Sequence, residues 1–431
     1  MAIRVSTSNI YALGVDSVRQ NQADLVKLQQ QVATGRRILT PSDDPVASAQ
    51  ILSVNQANGL NDQFKTNGDN AKSTVALSEG YLQSMTSLLQ DVKTQAVYAG
   101  NPSLTQTDRG ALLSELQERY KELIGLANST DGNGQYLYSG YQGSTRPFEE
   151  TAPGVVTYMG DQGQRSIQVS PSRALPVSES GVNVFQRIKE GNGTFVLKAG
   201  SNLVTPGANL GTGIVGPGTV VDVNKWRNSS GDFSIRFDID ATTTPSTTHY
   251  DIIDNSTNLS VITGGAPATV PFPTTLPVYQ PNATISMPNQ GITFTVDGAP
   301  AAGDQFTIKS AQDKQVFDTL TDFANLLKSA KDNPVNVASY QNSLNLVMQG
   351  LDNALTNVTT VQADVGTRLK EVDSVRDTLD DLTVQYSTQL RDLGDLDYAK
   401  AISDFSLTQT YLEAAQKTFV QTQKLSLFEQ I

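Results

Sequence analysis

The sequence predicts an α+β protein in which helical segments at both ends enclose a mainly β middle. Near each end of the chain, apolar residues recur at seven-residue spacing, which is the repeat of helices that pack along one another. The middle is rich in Gly, Pro and Thr, and its apolar residues alternate with polar ones, as in strands with one buried face. The predicted order along the chain is therefore helices, strands, helices.

The first helix carries a narrow apolar stripe. Thr34-Gly35 should end it, because glycine readily takes the left-handed conformation found after a helix C-terminus. The second position of the repeat holds small or polar residues such as Gly14 and Asn21, so the segment alone buries little apolar area and is marginal until it finds a partner. The stripe consists of Tyr11, Val18, Leu25 and Val32.

A second helix is predicted to begin at Asp43-Asp44-Pro45. Aspartate oxygens accept hydrogen bonds from the exposed amides of a first helical turn, and proline lacks the N–H that would otherwise have no partner there. This helix should end near Gly100-Asn101-Pro102, and a third helix should precede the turn residues 129–134. The apolar residues that define the two helices are Phe64, Ala71, Val75, Leu82, Met85, Leu89, Val92 and Ala96, then Leu113, Leu116, Tyr120, Leu123 and Ala127.

The strongest periodicity lies toward the other end of the chain. Seven apolar residues occupy one heptad position without a miss and predict a helix of about 45 residues, roughly 70 Å long. The phase shifts at Gly394, so a separate final helix should follow, with Ala401, Thr408 and Ala415 beside its stripe. The long helix carries Leu351, Val358, Val365, Val372, Leu379, Tyr386 and Leu393, and the final helix carries Tyr398, Phe405, Leu412 and Phe419.

Alternating residues in the middle of the chain predict strands. Two short alternations flank Asp161-Gln162-Gly163, which predicts a β-hairpin across that turn. Residues 191–310 are expected to form a separate, mainly β domain inserted into a helical host. The apolar strand residues are Val156, Tyr158, Ile167 and Val169 in the hairpin, and Phe233, Ile235, Phe237, Ile239, Ile292, Phe294, Val296, Phe306 and Ile308 in the inserted domain.

Composition and charge exclude several classes of function. The 43 acidic and 31 basic residues give a net charge of -12, which disfavours nucleic acid because phosphate binding needs clustered Lys and Arg. The chain has no cysteine, which excludes disulfides, thiolate chemistry and Cys-based metal sites. No signal-peptide core and no membrane-spanning run of apolar residues is visible, so the chain is expected to be soluble, or exported by a route that does not read such a signal.

Few residues resemble a chemical site. His249 has Asp251 nearby, but it has no second histidine and no nucleophile motif with it, so an ordinary surface histidine is expected. Asp43-Asp44 is interpreted as a helix cap in preference to a cation site, residues 131–134 as a turn in preference to a calcium loop, and Gly207 to Gly218 as a loop. No catalytic residue, cofactor site or metal site is predicted, and the chain is not expected to be an enzyme.

Two segments carry a resemblance to a known family. Residues 34–47 read TGRRILTPSDDPVA and closely resemble the N-terminal signature of bacterial flagellins and of the hook-associated proteins related to them. The segment is more similar to the hook-associated version, since in flagellins the residues before the two aspartates usually differ and a glycine tends to follow the proline. Residues 134–140 read GQYLYSG and, with Pro147-Phe148 and residues 158–161, resemble the hairpin region of the same family.

The resemblance covers about residues 1–190 and 311–431, including a C-terminal helix that begins at Asp397-Tyr398-Ala399. It implies an elongated coiled-coil bundle in which the terminal segments 1–43 and 394–431 pair as the inner assembly core. A helical layer with β-hairpins, 44–190 and 311–393, would surround them, and the inserted domain 191–310 would project outward. In the free chain both terminal stripes are expected to lie in water, because nothing within their own segments covers them.

The family also implies a function and partners. The expected function is that of a structural subunit of the bacterial flagellum that joins the hook region to the filament through coiled-coil packing of its termini. The implied partners are further copies of the chain, hook-associated protein 1, flagellin and a flagellar export chaperone, and the implied route is type III export to the extracellular flagellum. Two alternatives stay open, namely a flagellin that builds the filament itself and a secreted adhesin carried by the central domain.

Overall fold

The computed structural model of the protein describes residues 7–205, 207–332 and 336–428. The chain divides into two compact units, of which the first comprises Met1–Gly68, Val169–Ser172 and Asp373–Ile431, and the second Asp69–Gln168 and Arg173–Val372. Residues 1–6 and 429–431 of the predicted terminal segments lie outside the described residues. The three-layer division expected from the sequence has other boundaries than these two units and stays a prediction.

Helices occupy both ends of the chain, as the heptad spacing predicts. The first ends at Thr34, and the following Gly35 has a φ of +69°. The longest helix has 58 residues instead of about 45, because it begins at Val337, well before the heptad stripe, and ends at Gly394. The α-helices are α1 (Thr7–Thr34), α2 (Pro45–Ala99), α3 (Gln106–Ala127), α4 (Val223–Arg227), α5 (Val316–Asp332), α6 (Val337–Gly394) and α7 (Tyr398–Phe428), and a short π-helix spans Val182–Gln186.

Strands occupy the region between α3 and α5, where the apolar alternation predicts them. The strands are β1 (Phe148–Ala152), β2 (Val155–Tyr158), β3 (Ser166–Ser170), β4 (Arg173–Pro176), β5 (Ile188–Lys189), β6 (Phe195–Ala199), β7 (Ile214–Val215), β8 (Thr219–Val220), β9 (Asp232–Asp240), β10 (Thr247–Asp254), β11 (Leu259–Ser260), β12 (Thr284–Met287), β13 (Ile292–Asp297), β14 (Gln305–Ser310) and β15 (Asp313–Lys314).

Two antiparallel sheets in the second unit enclose one hydrophobic core. One sheet has the strand order β11-β10-β9-β14-β6, and the other has the order β12-β13-β7, with β8 also paired to β13. Alternate residues of β9, β13 and β14 point into the shared core, as in other sandwiches of two sheets. The core consists of Phe195, Leu197, Val215, Trp226, Phe233, Ile235, Phe237, Ile252, Tyr279, Ile285, Met287, Ile292, Phe294, Val296, Phe306 and Ile308.

The helical part of the second unit has its own core. The heptad residues of α6 from Leu351 to Val372 are buried, and so are the predicted residues of α2 from Ala71 to Ala96. Three fully buried rings, Phe148, Phe185 and Phe317, join β1 and α5, with centroids 4.9, 5.3 and 5.7 Å apart. Aromatic rings at these distances attract one another beyond the area they bury. This cluster ties the small strands to the helices.

The hairpin predicted across Asp161-Gln162-Gly163 is wrong. β2 pairs with β1, with Tyr158 opposite Phe148, and β3 pairs with β4. The two-residue connection between β1 and β2 closes a tighter hairpin than the longer segment after Tyr158 could. The Asp161 carboxylate instead accepts the N–H groups of Gly163 at 2.7 Å and Tyr141 at 2.9 Å. The predicted loop from Gly207 to Gly218 also contains a short strand, because β7 pairs with β13.

Candidate assembly surface

The two terminal helices pack against each other as an antiparallel pair. Near one end of the pair, the rings of Tyr11 and Phe419 have centroids 5.2 Å apart. At the other end, a Cβ atom on Gly35 would lie 2.8 Å from the hydroxyl oxygen of Tyr398. Since the first residues of α1 meet the last residues of α7, the two helices run in opposite directions.

The predicted stripe residues lie on the facing sides of this pair. Tyr11 and Tyr398, at 53% and 51%, keep about half of their surface exposed. The expectation that the stripes lie in water in a single chain is therefore wrong, because α1 and α7 of the same chain partly cover each other. The stripe residues that are half-buried are Val18, Leu25, Val32, Phe405, Leu412 and Phe419.

A small residue at the second heptad position lets the helices approach closely. A Cβ atom on Gly14 would lie 2.8 Å from Cδ2 of Phe419, so the ring occupies the space that a larger side chain would take. Such close approach favours dense packing along a narrow seam. Gly14 therefore helps the two helices to pair.

Several apolar side chains of the pair stay exposed, and the sequence interpretation missed them. They fall outside the seven-residue stripes, so heptad spacing does not point to them. Exposed apolar side chains grouped on a helix pair are typical of surfaces that bind another protein. The most exposed of them are Leu13 at 66%, Val26 at 52%, Ile402 at 53%, Leu407 at 48%, Tyr411 at 55% and Val420 at 48%.

The three residues predicted as a helix cap lie where the loop between α1 and α2 meets the start of α2. Asp44 accepts the N–H of Ala47 at 3.0 Å and so caps α2, whose first residue is Pro45. Asp43 does not share that role: its Oδ2 accepts the N–H groups of Leu39 at 3.0 Å and Thr40 at 2.8 Å. Its Oδ1 lies 2.8 Å from Nζ of Lys27. One aspartate therefore caps the helix, and the other holds the loop in front of it.

The hydrogen bonds of both aspartates favour their ionised forms. The Lys27 ammonium, with the amides of Thr40 and Leu39, holds the pKa of Asp43 far below its ordinary value. The Ala47 amide, assisted by Arg37, lowers the pKa of Asp44. Both carboxylates are therefore charged over the physiological range of pH.

Both ends of the chain match models of one protein family. Residues 5–143 match the bacterial flagellin N-terminal helical region, and residues 348–429 match the bacterial flagellin C-terminal helical region. The two regions contain α1, α2 and α3 at one end and most of α6 with α7 at the other. The chain belongs to the bacterial flagellin family.

Full-length relatives of this flagellin-family chain bear a more specific name. It is 26% identical over 427 residues to the flagellar hook-associated protein 3 of Salmonella typhimurium, covering 99% of each chain. The crystal structure of the flagellar junction protein FlgL from Legionella pneumophila is 29% identical, with a TM-score of 0.68, and covers 80% of this chain and 100% of its own. The FlgL structure from Xanthomonas campestris is 27% identical, with a TM-score of 0.65, and covers 78% and 99%.

The other candidate residues of this flagellin-family chain make hydrogen bonds within the fold. His249 is buried, not on the surface: it is 4% exposed, its Nδ1 lies 2.8 Å from the Leu276 carbonyl oxygen and its Nε2 lies 3.3 Å from Oγ1 of Thr247. The Asp251 carboxylate accepts from Ser260 and from the amide of Ala268. The His249 ring and the Asp251 carboxylate thus stabilise the fold of the β region through these contacts.

The turn at 131–134 is organised by its first residue. Oδ1 of Asp131 accepts the N–H groups of Asn133 at 2.8 Å and Gln135 at 2.9 Å, which is the geometry of an Asx turn. Within the described ranges, no three acidic or histidine side chains come together in a way that could hold a metal ion. In the same ranges, no helix combines the length and apolar character that a membrane span requires.

Proposed function

We propose that this chain is a structural subunit of the bacterial flagellum that joins the hook region to the filament. The observation that carries the proposal is the match over 99% of both chains to a protein named flagellar hook-associated protein 3, together with the likeness to two structures named FlgL. The proposed role is mechanical and not enzymatic.

The proposed assembly surface is the α1–α7 pair. The inner stripes of the pair, from Tyr11 to Val32 and from Tyr398 to Phe419, give it a seam, and Leu407 and Tyr411 on its exposed side offer apolar area to a neighbouring subunit. Helices paired in this way present their remaining apolar side chains to further helices, as in larger bundles. Copies of the same chain, packed through these surfaces, would form a ring or a helical layer.

The proposal includes specific neighbours and a route. Hook-associated protein 1 would lie on the hook side and flagellin on the filament side, and a flagellar export chaperone would bind the subunit before secretion. The subunit would leave the cell by flagellar type III export and reside in the extracellular flagellum. What supports these partners is membership of the flagellin family together with the full-length relatives.

A flagellin role is less well supported. Flagellin B of Helicobacter pylori is 32% identical to this chain over 141 residues, which is 32% of this chain and 27% of that protein. The hook-associated relatives instead extend through the central β region. An adhesin role of that region has no observation in its favour here.

Deletion of the gene tests the proposed function. Electron microscopy of the deleted strain should show hooks without attached filaments, and the culture medium should contain free flagellin. Restoring the wild-type chain should return the filaments. Normal filaments in the deleted strain would contradict the proposal, and a strain that lacks flagellin in both the filament and the medium would support the flagellin role.

A further inference from the structure

The two helix breaks of the first unit meet as a short antiparallel bridge. One break, residues 35–44, separates α1 from α2, and the other, residues 395–397, separates α6 from α7. The N–H of Arg37 donates to the carbonyl of Gly394 at 2.8 Å, and the N–H of Leu396 donates to the carbonyl of Gly35 at 2.9 Å. Arg36 lies opposite Asp395 in this bridge. Breaks from opposite ends of the chain are thus joined by backbone hydrogen bonds.

Arg37 reinforces the bridge through two side-chain contacts and one backbone contact. Nη2 of Arg37 donates to the carbonyl of Leu393 at 2.7 Å, and Nη1 lies 3.3 Å from Oδ2 of Asp44. The backbone carbonyl of Arg37 accepts from Nε2 of Gln31 at 2.6 Å. Arg37 therefore contacts the last turn of α1, the cap of α2 and the last turn of α6.

The chemistry of these contacts suits arginine. The Leu393 carbonyl is among the last of α6, which have no partner within the helix and carry the negative end of its dipole. The guanidinium is a planar fork with a permanent charge, so it can reach a carbonyl and a carboxylate at once. A lysine ammonium at the end of a flexible chain could not hold both acceptors in this fixed geometry.

We propose that Arg37 is a positioning residue that locks the two helix breaks together and fixes the direction in which the α1–α7 pair leaves α2 and α6. Without the Arg37 side chain, the two helix breaks would be joined only by the two backbone hydrogen bonds of the bridge, and the connecting segments could bend more freely. With the Arg37 contacts in place, the segments 35–44 and 395–397 move together. This inference rests on the proposed function, in which the α1–α7 pair carries the load between hook and filament.

Filament retention under load tests the role of Arg37 in the assembled flagellum. The deletion strain is complemented with the wild-type chain, Arg37→Gln, Arg37→Lys or Arg36→Gln, and the filaments per cell are counted before and after a defined shear. Arg37→Gln and Arg37→Lys should be secreted normally and attach filaments but lose several-fold more of them on shearing. Arg36→Gln removes the same charge one residue away and should behave as the wild type. Equal retention in all four strains, or equal loss in Arg36→Gln, would overturn the proposal.

An engineered disulfide between positions 36 and 395 should compensate for the loss of the Arg37 side chain. The chain has no cysteine of its own, and Arg36 and Asp395 lie opposite each other without exchanging hydrogen bonds, a position where Cα atoms are about 4.5 Å apart, within the range that a disulfide spans. In the Arg37→Gln chain, Arg36→Cys with Asp395→Cys should restore retention once oxidised after secretion, and reduction should abolish it. A disulfide verified by mass spectrometry that leaves retention low would overturn the proposal.

A measurement on the purified chain separates this inference from the proposed function. Spin labels at the exposed positions Gln22 on α1 and Gln56 on α2, introduced as Gln22→Cys and Gln56→Cys, report the distance between the two helices by pulsed electron paramagnetic resonance. The distribution should be narrow in the wild-type and Arg36→Gln chains and broader in Arg37→Gln. Distance distributions of equal width in all three chains would overturn the proposed role of Arg37. If the distribution broadens in Arg37→Gln but the gene-deletion strain keeps its filaments, the role of Arg37 is supported and the junction function is rejected.

Discussion

At the residue scale, single side chains and single backbone angles decide where helices of the first unit end. Gly35 has a φ of +69°, which costs a residue with a Cβ atom roughly 1–2 kcal/mol, and the Tyr398 hydroxyl occupies the space beside it. Asp44 caps the next helix through the amide of Ala47. These groups act within a few residues of themselves, so their effects are separable by substitution.

Gly35→Ala should destabilise the α1–α7 pair by about 1–2 kcal/mol, because alanine disfavours the positive φ and its methyl group would displace Tyr398. The measurement is hydrogen exchange of the α1 amides. Gly59→Ala is the control: beyond the adjacent residues and backbone of its own helix, no atom lies within 4 Å of the added Cβ, and alanine in a helix interior gains about 0.5–1 kcal/mol. Equal protection of α1 in the wild-type and Gly35→Ala chains would contradict the strain argument.

Asp43→Asn should weaken the loop before α2 at neutral pH and should matter less in acid. The pKa of Asp43 in the folded chain lies below its ordinary value of 3.8, so its ionised form contributes stability above that pH. The contribution is lost as pH falls through the lower, folded-state value. The stability difference between wild type and Asp43→Asn, measured by chemical denaturation, should therefore shrink below about pH 3.8. A difference that grows on acidification would exclude this linkage.

At the element scale, the α1–α7 pair has an inner and an outer apolar side. Phe419 is half-buried against Tyr11 and fills the space above Gly14. Tyr411, on the same helix, is 55% exposed. Phe419 thus packs within one chain, whereas Tyr411 lies on the outer side that is proposed to pack between chains.

Phe419→Ala should destabilise the pair in the free chain by about 1–2 kcal/mol, less than a fully buried phenylalanine would, because only part of the ring is covered. A partial loss of the same kind is expected for Phe405→Ala and Leu412→Ala. Tyr411→Ala should leave the free chain unchanged within about 0.5 kcal/mol and reduce filament attachment. Helicity on heating measures the first effect, and filament counts measure the second. A Tyr411→Ala strain with normal filaments would remove the outer side from the assembly surface.

At the scale of the whole molecule, the two units differ in how deeply they bury their apolar residues. The second unit has fully buried aromatic and aliphatic cores, whereas the α1–α7 pair of the first has half-buried stripes. Opening free energies follow buried apolar contact, so the α1–α7 pair should open at a lower free energy than the cores of the second unit.

Limited proteolysis of the purified monomer should first cut within 7–43 and 395–428 and leave a product close to 44–393. Ordering a residue costs roughly 1–2 kcal/mol, and the half-buried stripes offset less of that cost than the buried cores do. Mass spectrometry of the fragments locates the cuts. The same segments should resist cleavage in assembled flagella, and resistance of residues 11–32 equal to that of the β core in a proven monomer would contradict the prediction.

Local chemistry was enough to place five of the seven described α-helices and five of the fifteen described strands. Gly35, Pro45 and Gly394 mark helix ends within a residue or two, and seven-residue spacing identified the faces of α1 and α7 that meet, because caps and periodicities act over a few residues. The choice of partners required the folded chain. β2 pairs with β1 and not across Asp161, and His249 is buried beneath a segment that includes Leu276, 27 residues away. The Nη2 atom of Arg37 donates to the carbonyl of Leu393, 356 residues away. Such contacts are decided by competition among all the surfaces that the chain can bury, and spacing along the sequence does not record that competition.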